Sequence, residues 1–206
     1  MAELLEDRVA LVTGGAARLG AEICRTLARA GAIVAVHCHR SLAAAEDLVE
    51  EIEADGGEAF VIRGDLAQDE DRSALIDAVI DRAGRLDILV NNAAIRPAGP
   101  FLEMTDEEWQ RVIDVDLNAA FRFSRAFLPG MVEQSWGRIV NFTGMNSIRG
   151  NIKGAPISVA KHGVWGLTKS LSFEFGPSGI TVNAISPGHP AIMGPWPFVS
   201  DLRTGA

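Results

Sequence analysis

Short apolar runs rich in β-branched residues alternate with segments of helical period along most of the chain. Val9-Ala10-Leu11-Val12 is the first run; a helical stretch from about Leu19 to Ala30 stops at Gly31, and Ile33-Val34-Ala35-Val36 follows. A second helix starts at Ser41, stops near Gly56 and leads to Ala59-Phe60-Val61-Ile62. The third runs from about Asp69 to Ala83, stops at Gly84 and precedes Ile88-Leu89-Val90. Glycine just past each helix suits the left-handed C′ position, where a Cβ is strained. Thr105-Asp106-Glu107-Glu108 reads as a capping box, opening a helical region that reaches about Phe127 and is expected to break at Pro129-Gly130. Arg138 to Phe142 predicts a fifth strand, Pro156 to Phe175 a long helix, and Ile180 to Ile185 a sixth strand.

Continuous apolar strands separated by helices mean a parallel sheet covered on both faces, because each parallel connection needs a crossover. The expected fold is a doubly wound α/β sheet of about six strands in one domain, residues 1–188. Pro190, Pro195 and Pro197 then predict a short irregular tail over 189–206.

With 206 residues the chain is long enough to bury a core without disulfides or metals. The formal charge of −8 and the lack of any basic run argue against nucleic acid or an anionic membrane as partner, yet leave room for a local basic pocket. Cys24 and Cys38 lie in apolar-periodic segments without metal-ligand spacing, so we expect reduced core thiols and no metal site. The acidic amino terminus has no signal-peptide core and no segment has the length of a membrane span, so a cytoplasmic protein is expected.

The first strand runs into Thr13-Gly14-Gly15-Ala16-Ala17-Arg18-Leu19-Gly20, directly before a helix. Small residues there let backbone amides approach a pyrophosphate at the positive end of the helix dipole. Asp65-Leu66 follows strand three, Asn91-Asn92-Ala93-Ala94 strand four, and Pro187-Gly188 strand six. In that order these motifs resemble the classical short-chain dehydrogenase/reductase family, with its Rossmann fold, over nearly the whole chain. The resemblance implies that Gly14, Arg18, Leu19 and Gly20 meet the pyrophosphate and that Asp65 and Leu66 hold the adenine. It further implies that Asn92, Ala93 and Ala94 line the ribose and nicotinamide, that Lys161 binds the ribose, and that Pro187 and Gly188 meet the carboxamide.

The end of strand two reads His37-Cys38-His39-Arg40-Ser41 and has no carboxylate to accept from a ribose 2′-hydroxyl. Arg40 can fork onto a 2′-phosphate and Ser41 can donate to it, which favours NADP(H) over NAD(H). The alternative is that Arg40 is a solvated charge and Ser41 only an N-cap. This stretch, with the Ala-Ala-Arg-Leu-Gly turn, is also similar to the pteridine-reductase branch, and Arg18 either points toward a substrate there or is solvated.

Carbonyl reduction needs a proton donor and a group that polarises the oxygen. In the family these are the tyrosine of a Tyr-x-x-x-Lys motif and a serine after strand five, with an asparagine supporting a proton relay. Lys161 matches; four places earlier stands Ile157, the serine position falls on Gly144, and the asparagine position on Asp116. The chain contains no tyrosine at all. Thr143, Asp116 and His189 remain as candidate replacements beside Lys161, each with a structural alternative: a cap, a hydrogen-bond acceptor and a solvated loop histidine.

The resemblance implies an oxidoreductase acting on a small carbonyl or alcohol with a non-standard or impaired site, or else an inactive NADP(H)-binding homologue serving as sensor or partner subunit. It also implies a homodimer or tetramer. No counterpart is expected for the family's last helix and seventh strand.

Overall fold

The computed structural model describes residues 4–148 and 150–187. Six strands form one parallel sheet: β1 (Val9–Val12), β2 (Ile33–Cys38), β3 (Glu58–Arg63), β4 (Ile88–Asn91), β5 (Gly137–Phe142) and β6 (Ile180–Ile185). Their order across the sheet is β3-β2-β1-β4-β5-β6. The first three crossovers are α1 (Arg18–Arg29), α2 (Leu42–Ala54) and α3 (Asp69–Ala83); β4 is followed by α4 (Asp106–Ile113) and α5 (Ala119–Glu133), and β5 by α6 (Ala155–Phe175). This is the doubly wound fold expected from the alternation of runs.

Strand periodicity divides the core. Val9 and Leu11 of β1 face the side covered by α3 and α5, together with Leu75, Val79, Phe123 and Phe127. Ala10 and Val12 face α1 and α2, meeting Cys24, Ala28, Leu48 and Ile52. A β-strand points successive side chains to opposite faces, and both faces of β1 are apolar because both are covered. Gly31, Gly56 and Gly84 have φ of +96°, +85° and +73°, the left-handed conformation expected at the three helix ends.

One expectation is corrected. The break at Pro129-Gly130 does not occur: α5 runs through Pro129 to Glu133. Leu128 and Met131 on either side are both buried, so tertiary packing outweighs the hydrogen bond that proline forfeits. The helical region is instead interrupted earlier, by a π-helical turn over Asp114–Asn118 between α4 and α5. The tail over 189–206 lies outside the described residues. Within them no helix is long and apolar enough to cross a membrane.

Every strand delivers its carboxyl end to the same edge of the sheet. The chain order reverses between β1 and β4, where the connections diverge to opposite sides and leave a crevice.

Candidate active site

The turn after β1 is anchored from two directions. Gly14 has φ +64°, and a Cβ on it would lie 3.1 Å from Ala93 Cα, so glycine alone lets the turn rest on the loop after β4. A Cβ on Gly20 would strike the Gly14 carbonyl oxygen. Thr13 Oγ1 donates to the Val90 carbonyl and accepts the amides of Asn92 and Ala93, each at 3.0 Å. The Asn92 side-chain amide donates to the carbonyls of Thr13 at 2.9 Å and Gly14 at 3.2 Å. Asn92 therefore spends its amide on the turn itself.

Ala17, the residue preceding α1, offers no side-chain cap, so the first amides of α1, at Arg18, Leu19 and Gly20, have no protein side chain to satisfy them. A pyrophosphate fits that need and the helix dipole. Arg18 is exposed with φ +52°, a left-handed backbone conformation that residues other than glycine seldom adopt.

Beside this turn opens a cavity of about 530 Å³, lined among others by Gly14, His39, Arg40, Ser41, Arg96 and Arg111. In a chain of charge −8 it gathers three arginines against one lining carboxylate, Glu108. Ser41 occupies the N-cap position of α2 but makes no side-chain capping bond, leaving its hydroxyl available. Asp65 flanks the cavity: Arg111 reaches its two oxygens at 3.1 and 3.4 Å, and the Ala67 amide donates at 3.0 Å. Partial burial pushes the Asp65 carboxyl up, but the Ala67 amide, Arg111 and His39 together hold it below the usual carboxylate range. Leu66 is buried with its side chain in the core and its carbonyl accepts from Arg72, so only its backbone amide is on offer.

At the reaction end, Lys161 and Asp116 form a buried pair with Nζ 3.4 Å from Oδ2. Asp116 Oδ1 accepts the Ile95 amide at 2.8 Å, while Oδ2 has no hydrogen-bond partner of good geometry. The π-turn puts the neighbours Val115 and Asp116 both inside, which brings the carboxylate to α6. Burial pushes the Asp116 carboxyl up against the pull of Lys161, and the same burial pushes the Lys161 ammonium down. A water-sized cavity of about 10 Å³ adjoins the pair, bordered by Thr13, Asn91, Phe142 and Val164.

Below it a buried chain of hydrogen bonds ties α6 to the sheet. Asn91 Nδ2 donates to Asn141 Oδ1 at 2.8 Å, Asn141 Nδ2 to Thr168 Oγ1 at 2.9 Å, and Thr168 Oγ1 to the Val164 carbonyl at 2.7 Å. Ile157, Lys161, Val164 and Thr168 make one buried stripe of α6.

Ile157 thus presents an apolar side chain one turn from Lys161. Gly144 has φ +74°, and a Cβ added there would meet nothing within 4 Å. Thr143 is buried, and its hydroxyl faces the Ile185 carbonyl at 3.4 Å. Ala94 and Pro187 are exposed at the strand ends; Gly188 and His189 lie outside the described residues. Arg111 and Arg96 also belong to the cleft, although no motif in the sequence marks them, and so does His37, which opens the stretch read at the end of strand two. Arg111 meets Asp65 across 46 positions, and no local spacing signals such a contact.

The model of the short chain dehydrogenase family matches residues 8–191. Acetoacetyl-CoA reductase of Allochromatium vinosum is 39% identical over 183 residues, covering 88% of this chain and 74% of that protein. The 3-oxoacyl-[acyl-carrier-protein] reductase of Synechocystis is 40% identical over 184 residues, covering 89% and 74%. Among solved structures, a metagenomic short-chain oxidoreductase in complex with NADP superposes with a TM-score of 0.85 at 33% identity, over 90% of this chain and 84% of that one. With the sheet order, the glycine turn and the ordered strand-end motifs, these matches establish that the chain belongs to the short-chain dehydrogenase family of oxidoreductases.

Proposed function

We propose that this protein is an NADP(H)-dependent oxidoreductase acting on a small carbonyl or alcohol, in which Lys161 and Asp116 are the proton-holding groups. The observation that carries the cofactor choice is the cation-rich cavity at the ends of β1 and β2, with Arg40 and an uncommitted Ser41 hydroxyl on its wall. The amides at the head of α1 take the pyrophosphate, and Arg40 with Ser41 takes the 2′-phosphate. The solved relative with NADP bound supports the same choice. When bound, the nicotinamide cofactor supplies a hydride.

Lys161 and Asp116 share their charge in the interior; a proton given by the Lys161 ammonium to the developing alkoxide leaves a neutral amine beside the Asp116 carboxylate, and a proton taken up from solvent restores the pair. Ile157 excludes water from that side and supplies no proton. Two relatives named as reductases of 3-oxoacyl compounds make 3-oxoacyl thioesters the first substrates to try.

A second reading is favoured by Ile157 and Gly144: a cofactor-binding member without turnover, serving as sensor or partner subunit. NADPH titration by tryptophan fluorescence, followed by a panel of carbonyl substrates including acetoacetyl-CoA, separates the two. We expect binding and slow turnover. Ile157→Tyr should raise the rate by about 10²-fold or more, because it restores a general acid beside Lys161. Gly144→Ser is added second, since φ +74° strains a serine. Tight binding with no turnover in any of these proteins sinks the oxidoreductase reading in favour of the second; no binding of NADPH sinks both.

A further inference from the structure

His37, near the end of β2, is only 3% exposed and takes no part in the chemistry described above. Its Nδ1 accepts the Gly14 amide at 3.0 Å. Because that nitrogen accepts, the ring proton sits on Nε2, which donates to the Gly64 carbonyl at 3.1 Å. The backbone carbonyl of the same residue accepts the Gly15 amide at 2.8 Å. One neutral imidazole therefore joins the turn after β1 to the turn after β3, with β2 between them.

These two turns serve opposite ends of an adenosine diphosphate. The Gly14 turn leads into the uncapped head of α1, and Gly64 immediately precedes Asp65 at the flank of the cavity. We infer that His37 is a positioning residue for dinucleotide binding, setting the distance between the pyrophosphate turn and the adenosine turn. This rests on the cofactor reading above. Burial pushes the imidazole down from 6.5 to about 4, with the Gly64 contact opposing, which keeps it neutral at ordinary pH. A charged ring would turn an Nδ1 proton against the Gly14 amide, so only the neutral form can hold both turns.

A filler of the core would be replaceable by leucine; a brace would not. Asparagine can place its carbonyl oxygen where Nδ1 stands and accept the Gly14 amide, while its shorter amide arm stops short of the Gly64 carbonyl, so it is the variant that keeps one of the two bonds.

Calorimetric titration of the full chain with NADPH, NADH and AMP, for the unmodified protein, His37→Leu and His37→Asn, tests the inference. His37→Leu should weaken both dinucleotides by about tenfold, since two buried hydrogen bonds of modest net strength are lost. AMP, which carries only one of the two pyrophosphate phosphates, should lose less affinity than either dinucleotide, and His37→Asn should recover the part of the dinucleotide affinity that rests on the Gly14 contact. Amide hydrogen exchange at Gly14 should quicken in His37→Leu even without ligand. Unchanged dinucleotide binding by His37→Leu overturns the inference, as does an equal loss of AMP, which marks general structural damage. If the unmodified protein binds neither dinucleotide, the cofactor reading itself falls. Should His37→Leu not fold, His37→Asn is joined by ring-nitrogen NMR of the unmodified protein: an unprotonated Nδ1 is expected at neutral pH, and a protonated one overturns the brace.

Discussion

Burial works against both charges of the Lys161–Asp116 pair, and each partner offsets part of the other's cost. Breaking a buried pair by removing one partner typically costs about 3–5 kcal/mol, because the other charge is left uncompensated. For Lys161→Met that loss carries a pH signature. Asp116, already pushed up by burial, would rise further without the ammonium beside it. The folded state then holds more protons than the unfolded state above the ordinary carboxylate value of 3.8, so stability falls as pH rises through that window. We expect urea unfolding of Lys161→Met at several pH values to show this decline, and Asp116→Asn with Lys161→Met to remove it. Parallel curves for the single and double variants would mean that burial does not raise the Asp116 carboxyl.

At the scale of elements, the same substitution has opposite outcomes depending on what stands over the backbone. Gly20→Ala adds helix propensity to α1 but drives a methyl into the Gly14 carbonyl, so a net loss of about 2 kcal/mol is expected. Gly166→Ala, within α6, meets nothing within 4 Å and should gain about 0.5–1 kcal/mol. Thermal unfolding of the two variants checks both signs. The elements themselves were mostly legible because their signals are local: apolar runs for strands covered on both faces, and Gly31, Gly56 and Gly84 at helix ends. The capping box read at Thr105 is present, with the Glu108 amide 3.2 Å from Thr105 Oγ1 and the Glu108 carboxylate 3.0 Å from the Thr105 amide. Pro129 misled because a local rule met a buried helix that packs well on either side of it. The π-turn left no mark, since one extra residue per turn changes no composition. Arg111 on Asp65 and His37 on Gly64 were illegible for another reason: each joins elements far apart in sequence, and only the sheet order makes them neighbours.

For the whole molecule, cofactor binding and folding are linked. A ligand at one hundred times its dissociation constant stabilises by about 2.7 kcal/mol, which in a chain of this size raises the melting temperature by roughly 5–10 °C. NADPH should produce that shift, NADH at the same concentration a smaller one, and Arg40→Ala should bring the NADPH shift down to the NADH value. Equal shifts before and after the substitution would assign the 2′-phosphate elsewhere. The test spans the fold because the cleft does: its walls come from the ends of β1 and β2, the loop after β4, and α4.

Ile157 one turn from Lys161 has a practical consequence as well. Because the chain lacks tyrosine, Ile157→Tyr would introduce the sole phenol in the molecule. Its phenolate absorbance would rise over a tryptophan background that does not titrate, and its titration would report directly how strongly the Lys161–Asp116 pair tunes an acid placed beside it. The substitution that tests catalysis thereby also installs the chromophore that measures the field of the site.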